Sequence, residues 1–155
     1  MVLAWLELAS AQVLAAPHFN IHSWYAEDGL PQNAVTAVVQ SRDGYLWLGT
    51  FTGLVRFDGV RFVVFNDNNT PALKNNRITS LYEAADGTLW IGHETGHVTC
   101  FKAGRFEVVP VRANWNGRKI FGIGSDDAGD VWLLSADGLL ARVRDGKVLT
   151  PEPGG

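Results

Sequence analysis

The sequence predicts an all-β fold assembled from copies of one four-stranded unit, and three observations carry that expectation. No stretch after residue 17 keeps a helical apolar period. Short β-branched and aromatic runs alternate with Asp-Gly and Gly turns. Three segments also align with one another: DGYLWLGTFTGLVRFDGVRF from Asp43, DGTLWIGHETGHVTCFKAGRF from Asp86 and AGDVWLLSADGLLARVRDGKV from Ala128.

Each unit divides into strands in the same order. In the first, Val35 to Gln40 is an apolar, β-branched run, and Asp43-Gly44 is a hairpin turn, because Gly tolerates positive φ without steric cost. Leu46 to Thr50 is a second strand, Gly53 opens a third at Leu54 to Phe57, and Asp58-Gly59 turns into a fourth at Arg61 to Phe65. The second unit repeats this through Ile78–Leu81, Leu89–Gly92, Val98–Phe101 and Phe106–Val109. The third uses Ile120–Ile123, Val131–Leu134, Leu139–Val143 and Lys147–Leu149.

Trp47, Trp90 and Trp132 are separated by 43 and 42 residues, and the turn glycines Gly44, Gly87 and Gly129 keep the same spacings. Gly53, Gly96 and Gly138 recur in the second turn. A period in the low forties is the length of one four-stranded β-propeller blade, so the tryptophans are expected to pack blade against blade. The expected blades span about 33–66, 77–110 and 119–150 within a partial propeller over 17–155, preceded by a leading strand at 19–24. Propellers close with about 4 to 8 blades. Three blades leave two alternatives open, a piece of a larger ring or copies that associate to complete one.

Composition narrows the function. Hydrophobic content of 46% and a net charge of -3 describe a globular chain with a core, and the scattered Lys and Arg give no basic footprint for nucleic acid. The single Cys100 rules out an internal disulfide and a cysteine-based zinc site; it lies in an apolar run and has no activating partner in sequence. Residues 1–16, MVLAWLELASAQVLAA, are apolar and small-residue-rich, too short to span a bilayer, and resemble the end of a secretory signal peptide with cleavage after Ala11 or Ala16. Export to the periplasm is therefore expected.

His93 to His97, HETGH, matches the H-E-x-x-H pattern of zinc proteases, in which both histidines reach one metal from one face of a helix. The repeat puts His93 at the end of a strand, Gly96 in a turn and His97 at the start of the next strand, where no helix fits. Neither a metal nor a cofactor is expected. Ser125 to Asp130 is read as a polar turn rather than a calcium loop, since the twelfth-position Glu is missing. His18 and His22 have no partner in sequence, and no nucleophile elbow, P-loop or dinucleotide fingerprint is present. The chain is read as non-catalytic.

The first unit resembles the two-component regulator propeller repeats, whose pattern is DG-x-LW-[IL]-GT-x-x-GL-x-R-[FY]-DG-x-x-F. The lead-in WYAEDGLPQNAVTAVVQSRDG, Trp24 to Gly44, is similar to the segment that opens such sensors. The resemblance runs over about residues 19 to 150 and departs from the pattern in the third unit, where Leu134 replaces Gly and Val143 stands at an aromatic position. It implies an extracytoplasmic ligand sensor placed ahead of a further β domain, a membrane helix and a cytoplasmic histidine kinase or diguanylate cyclase. Any kinase or cyclase activity would then belong to domains outside this sequence.

The expected ligand is a small molecule, glycan or peptide, and the contact candidates follow from loop position: Phe51, Glu94 and Asp137 in the second turns, with Trp115 and Arg118 between blades. Trp115 has a second reading, an anchor folded back onto the blades. The inter-blade stretches 66–77 and 111–118 belong to the same set. A protein-interaction scaffold is the alternative function, and a propeller hydrolase or lyase would need catalytic residues beyond these blades.

Overall fold

The computed structural model describes residues 20–111, 115, 118–144 and 146–149. The leader expected at 1–16 lies outside the described residues, as does Phe19. Among the described residues three antiparallel sheets follow one another along the chain. The first holds β1 (Val35–Gln40), β2 (Leu46–Thr50), β3 (Leu54–Phe57) and β4 (Phe62–Phe65), paired in that order. The second holds β5 (Ile78–Glu83), β6 (Leu89–His93), β7 (Val98–Lys102) and β8 (Arg105–Val109). The third holds β9 (Ile120–Ser125), β10 (Val131–Ser135), β11 (Leu140–Arg144) and β12 (Lys147–Leu149). The fold is all-β, built of propeller blades.

The first strands of successive sheets, β1, β5 and β9, touch one another, which makes them the inner strands of the stack. The β1–β2, β5–β6 and β9–β10 turns share one device: Gly44, Gly87 and Gly129 have φ of 90°, 79° and 84°, a region that side-chain-bearing residues rarely adopt.

The leading strand expected at 19–24 is described only from Asn20 onward. Asn20 to Trp24 are in no strand, because a strand exists only against a ladder partner and no described strand runs beside them. Trp24 rests instead on Phe57, ring centroids 5.0 Å apart, and the chain enters the first blade through a 3₁₀ turn at Ala26–Asp28.

The core lies between the sheets rather than within one. Trp47, Leu54, Leu73, Ile78, Leu89 and Ile91 are buried between the first and second blades. Trp47 meets Phe65 of its own blade at 5.8 Å and Phe101 of the next at 5.1 Å. A second cluster between blades two and three includes Val98, Trp115, Ile120, Leu133 and Val148. Each fully buried Leu or Ile contributes roughly 1.5–3 kcal/mol, so the stacking of blades is the main stabilising term.

One joint occurs twice. The inner strands bulge at Thr36 and Thr79, between Val35 and Ala37 and between Ile78 and Ser80. From these bulges the Thr36 hydroxyl donates to the Ile78 carbonyl at 2.7 Å, and the Thr79 hydroxyl donates to the Ile120 carbonyl at 2.7 Å. The isoleucines themselves enter sockets. A Cβ on Gly49 would lie 2.8 Å from Ile78 Cγ2, and one on Gly92 would lie 2.6 Å from Ile120 Cγ2. The Gly of the repeat is therefore a packing requirement between blades; it is not a turn glycine.

Candidate functional site

The β2–β3 turn and the approach to the next inner strand come together at one end of the stack. The Glu94 N–H donates to the Arg77 carbonyl at 3.0 Å, and the Ala136 N–H donates to the Lys119 carbonyl at 2.9 Å. These bonds pin each second turn of blades two and three to the entry of its own inner strand. Cationic side chains are thereby carried to the same end as the turn residues.

Around them a cleft of about 330 Å³ is lined by Thr36, Phe51, Thr79, Lys119, Ile120 and Phe121. All three blades contribute to it. The Arg77 guanidinium lies 4.3 Å from the centroid of the Phe51 ring and pairs with Glu94. Arg118 pairs with Asp137 beside Lys119. Of the five loop candidates Phe51 lines the cleft, Glu94 is linked to it through Arg77, and the Arg118–Asp137 pair adjoins Lys119 along the chain.

Trp115 does not join them. It is fully buried in the core between blades two and three, so of its two readings the structure adopts the anchor. An aromatic in a polar loop is legible in sequence, but which way it faces is not.

Arg77, Lys119 and Phe121 complete the site, and loop position in the sequence does not pick them out individually. Arg77 and Lys119 stand one repeat apart, and that spacing was the available signal.

The second turn corrects the alignment of glycines. The Thr50 N–H donates to the Gly53 carbonyl at 3.0 Å, whereas the His93 N–H donates to His97 and the Ser135 N–H to Leu139. Gly53 is therefore in register with His97 and Leu139, while Gly96 and Gly138 occupy an additional turn position. Gly53 is needed where it is: its φ is 150°, and a Cβ there would lie 2.5 Å from the Phe65 carbonyl oxygen. The shorter first turn also means that His97 precedes β7, which begins at Val98.

His93 ends β6 and is fully buried. Its Nδ1 lies 2.6 Å from the Asn75 carbonyl, which accepts, and its Nε2 lies 2.9 Å from the Thr99 hydroxyl. Burial pushes its pKa down to about 4, against the opposing pull of the Asn75 carbonyl. Both ring nitrogens are used in holding the 66–77 loop to the sheet. His97 Nδ1 bonds the Thr95 hydroxyl instead, at 2.8 Å.

The other chemical candidates also resolve into structure. Asp126 Oδ1 accepts from the Ala128 and Asp130 N–H groups, and its Oδ2 accepts from Trp132 Nε1 at 2.8 Å, which makes a polar turn. Burial raises the Cys100 thiol pKa, favouring the unreactive protonated form. Among the described residues no group of three His, Cys, Asp or Glu is placed to hold a metal ion. Among them too, no helix is long and apolar enough to cross a membrane.

Residues 29–52 and 72–95 match the family described as two component regulator propeller. These two segments are similar to two-component regulator propeller repeats. Both matched segments end in the second turns that supply Phe51 and Glu94.

Over 51 residues the chain is 39% identical to Histidine kinase P4 of Formosa agariphila, a match covering 33% of this chain and 4% of that protein. Among solved structures, the extracellular domain of the hybrid two component system BT3049 from B. thetaiotaomicron superimposes with a TM-score of 0.61 at 18% identity, over 79% of this chain and 22% of that one. Virginiamycin B lyase from Staphylococcus aureus does so with a TM-score of 0.61 at 16% identity, over 78% of this chain and 42% of that one. The chain therefore spans less than half the length of each of these relatives. The two-component extracellular domain and the lyase share the blade architecture, so the fold alone does not select a function.

Proposed function

We propose that this propeller segment is a non-catalytic, extracytoplasmic sensing module of a bacterial two-component-type signalling protein, and that it takes its ligand at the cleft between Phe51 and Phe121. The observation that carries the reading is that one cleft draws on all three blades and is lined by two aromatic residues together with Lys119, Thr36 and Thr79. Pockets that orient small polar ligands have this make-up, apolar faces with a few placed polar groups. The repeat family and the likeness to a histidine kinase support the signalling context. The lyase reading has weaker support, because the His, Cys and Asp side chains described above are engaged in turns, core and loop anchoring.

The test is a thermal-shift screen of the full chain with amino acids, oligosaccharides and short peptides. The expected result is a ligand that raises Tm, with the shift lost in Phe51→Ala and in Lys119→Ala. A ligand whose shift survives both substitutions would place binding elsewhere and overturn the site. Turnover of the ligand would overturn the non-catalytic reading.

A further inference from the structure

The two ends of the blade stack are not alike. The rear face of the first blade keeps the inserting half of the joint: Val35 stands one repeat before Ile78 and two before Ile120. It is 45% exposed, where both isoleucines are fully buried in glycine sockets. The forward face of the third blade has lost the receiving half. Leu134 pairs with Leu140 as Gly49 pairs with Leu54, so a side chain fills the socket position. Phe121 occupies the bulge position of Thr36 and Thr79, so no hydroxyl is there to donate, and its ring is 68% exposed.

We propose that the rear face of the first blade is a docking surface for a propeller blade that carries a glycine socket and a threonine hydroxyl, and that the third blade of a second copy cannot fill it. The argument is continuity with a joint the molecule already makes twice. At both internal joints the receiving blade lacks a Cβ where the incoming β-branched side chain enters, and supplies a hydroxyl to the incoming carbonyl. Two copies would supply about six blades, within the range that closes a ring, so blade number alone permits a two-copy assembly. The joint forbids it. Val35 would meet the Leu134 side chain where Ile78 meets no side chain, and the Val35 carbonyl would face a phenyl ring. Close packing makes such a collision costly and discrete rather than adjustable.

The experiment uses the full chain as acceptor and, as donor, the same chain bearing Phe121→Thr, Leu134→Gly and Val35→Lys. The donor has socket and hydroxyl restored and its own inserting face blocked. Sedimentation velocity on the separate and mixed chains is read with far-UV circular dichroism as a check on folding. The expected result is a one-to-one heterodimer, bound at least about 10-fold more tightly than the wild-type chain binds itself. Placing Val35→Lys in the acceptor is expected to abolish it. A folded donor that gains no affinity for the wild-type chain overturns the proposal. The wild-type arm needs no donor: a discrete ring of wild-type chains that Val35→Lys dissolves overturns it as well.

Discussion

At the scale of single residues, the buried polar groups make the sharpest predictions. His93 has a folded pKa of about 4 against an ordinary 6.5, so the unfolded chain binds the proton first as pH falls. Stability is then level above about pH 6.5 and declines between about 6.5 and 4 by up to roughly 1.4 kcal/mol per pH unit. Tm measured at pH 7 and pH 5 should show the drop, and His93→Gln should flatten it. Asp86, which its hydrogen bond to Lys102 holds down to about 2, loses its contribution only below about pH 5 and so leaves the pH 7 to pH 5 comparison clear. A second pair of predictions concerns indole N–H groups. Trp47 Nε1 donates to the Ser41 hydroxyl at 3.2 Å, whereas Trp90 Nε1 is buried with no partner because Ala84 stands one repeat after Ser41. Ser41→Ala should cost about 1–3 kcal/mol by orphaning a buried donor, and Ala84→Ser should stabilise by about 0.5–1.5 kcal/mol, both read by urea unfolding.

Between elements, the glycine socket decides how closely blades approach. Gly92→Ala places a Cβ 2.7 Å from Ile120 Cβ, an atom bonded directly to the backbone that cannot swing away. Overpacking of that kind should cost about 1–3 kcal/mol. The accompanying Ile120→Ala removes Cγ2, which the new Cβ would meet at 2.6 Å, but keeps Cβ, so it should recover only part of the loss, and a double-mutant cycle of unfolding free energies is expected to give a favourable coupling of at least about 0.5 kcal/mol. Additive losses would mean that the two positions do not share a joint. Gly44, by contrast, has nothing within 4 Å of its Cβ position, and what it supplies is the positive φ of its turn.

For the whole molecule, stability should be graded along the stack, as in other repeat proteins where each unit contacts only its neighbours. The middle sheet is covered on both faces, with Ile78, Ile91 and Val98 fully buried. Native-state hydrogen exchange should therefore find the slowest amides in β5 and β6. Faster exchange is expected in β12, a three-residue outer strand whose first residue is exposed. Uniform protection across the three sheets would contradict a stack held together at its joints.

The period of Trp47, Trp90 and Trp132, with the Asp-Gly turns, was enough to read strand order and blade identity, because repeating packing demands leave repeating residues. The sequence also marked Leu134 as a departure from the repeat, without the reason. What only the tertiary structure decided were matters of direction and contact across blades. It turned Trp115 inward, moved Gly53 out of register with Gly96, and gave His93 to Asn75 and Thr99. It also gathered Phe51, Lys119 and Phe121 around one cleft. Those outcomes depend on residues about forty positions apart meeting across a joint, and local propensity carries no information about what lies on the far side.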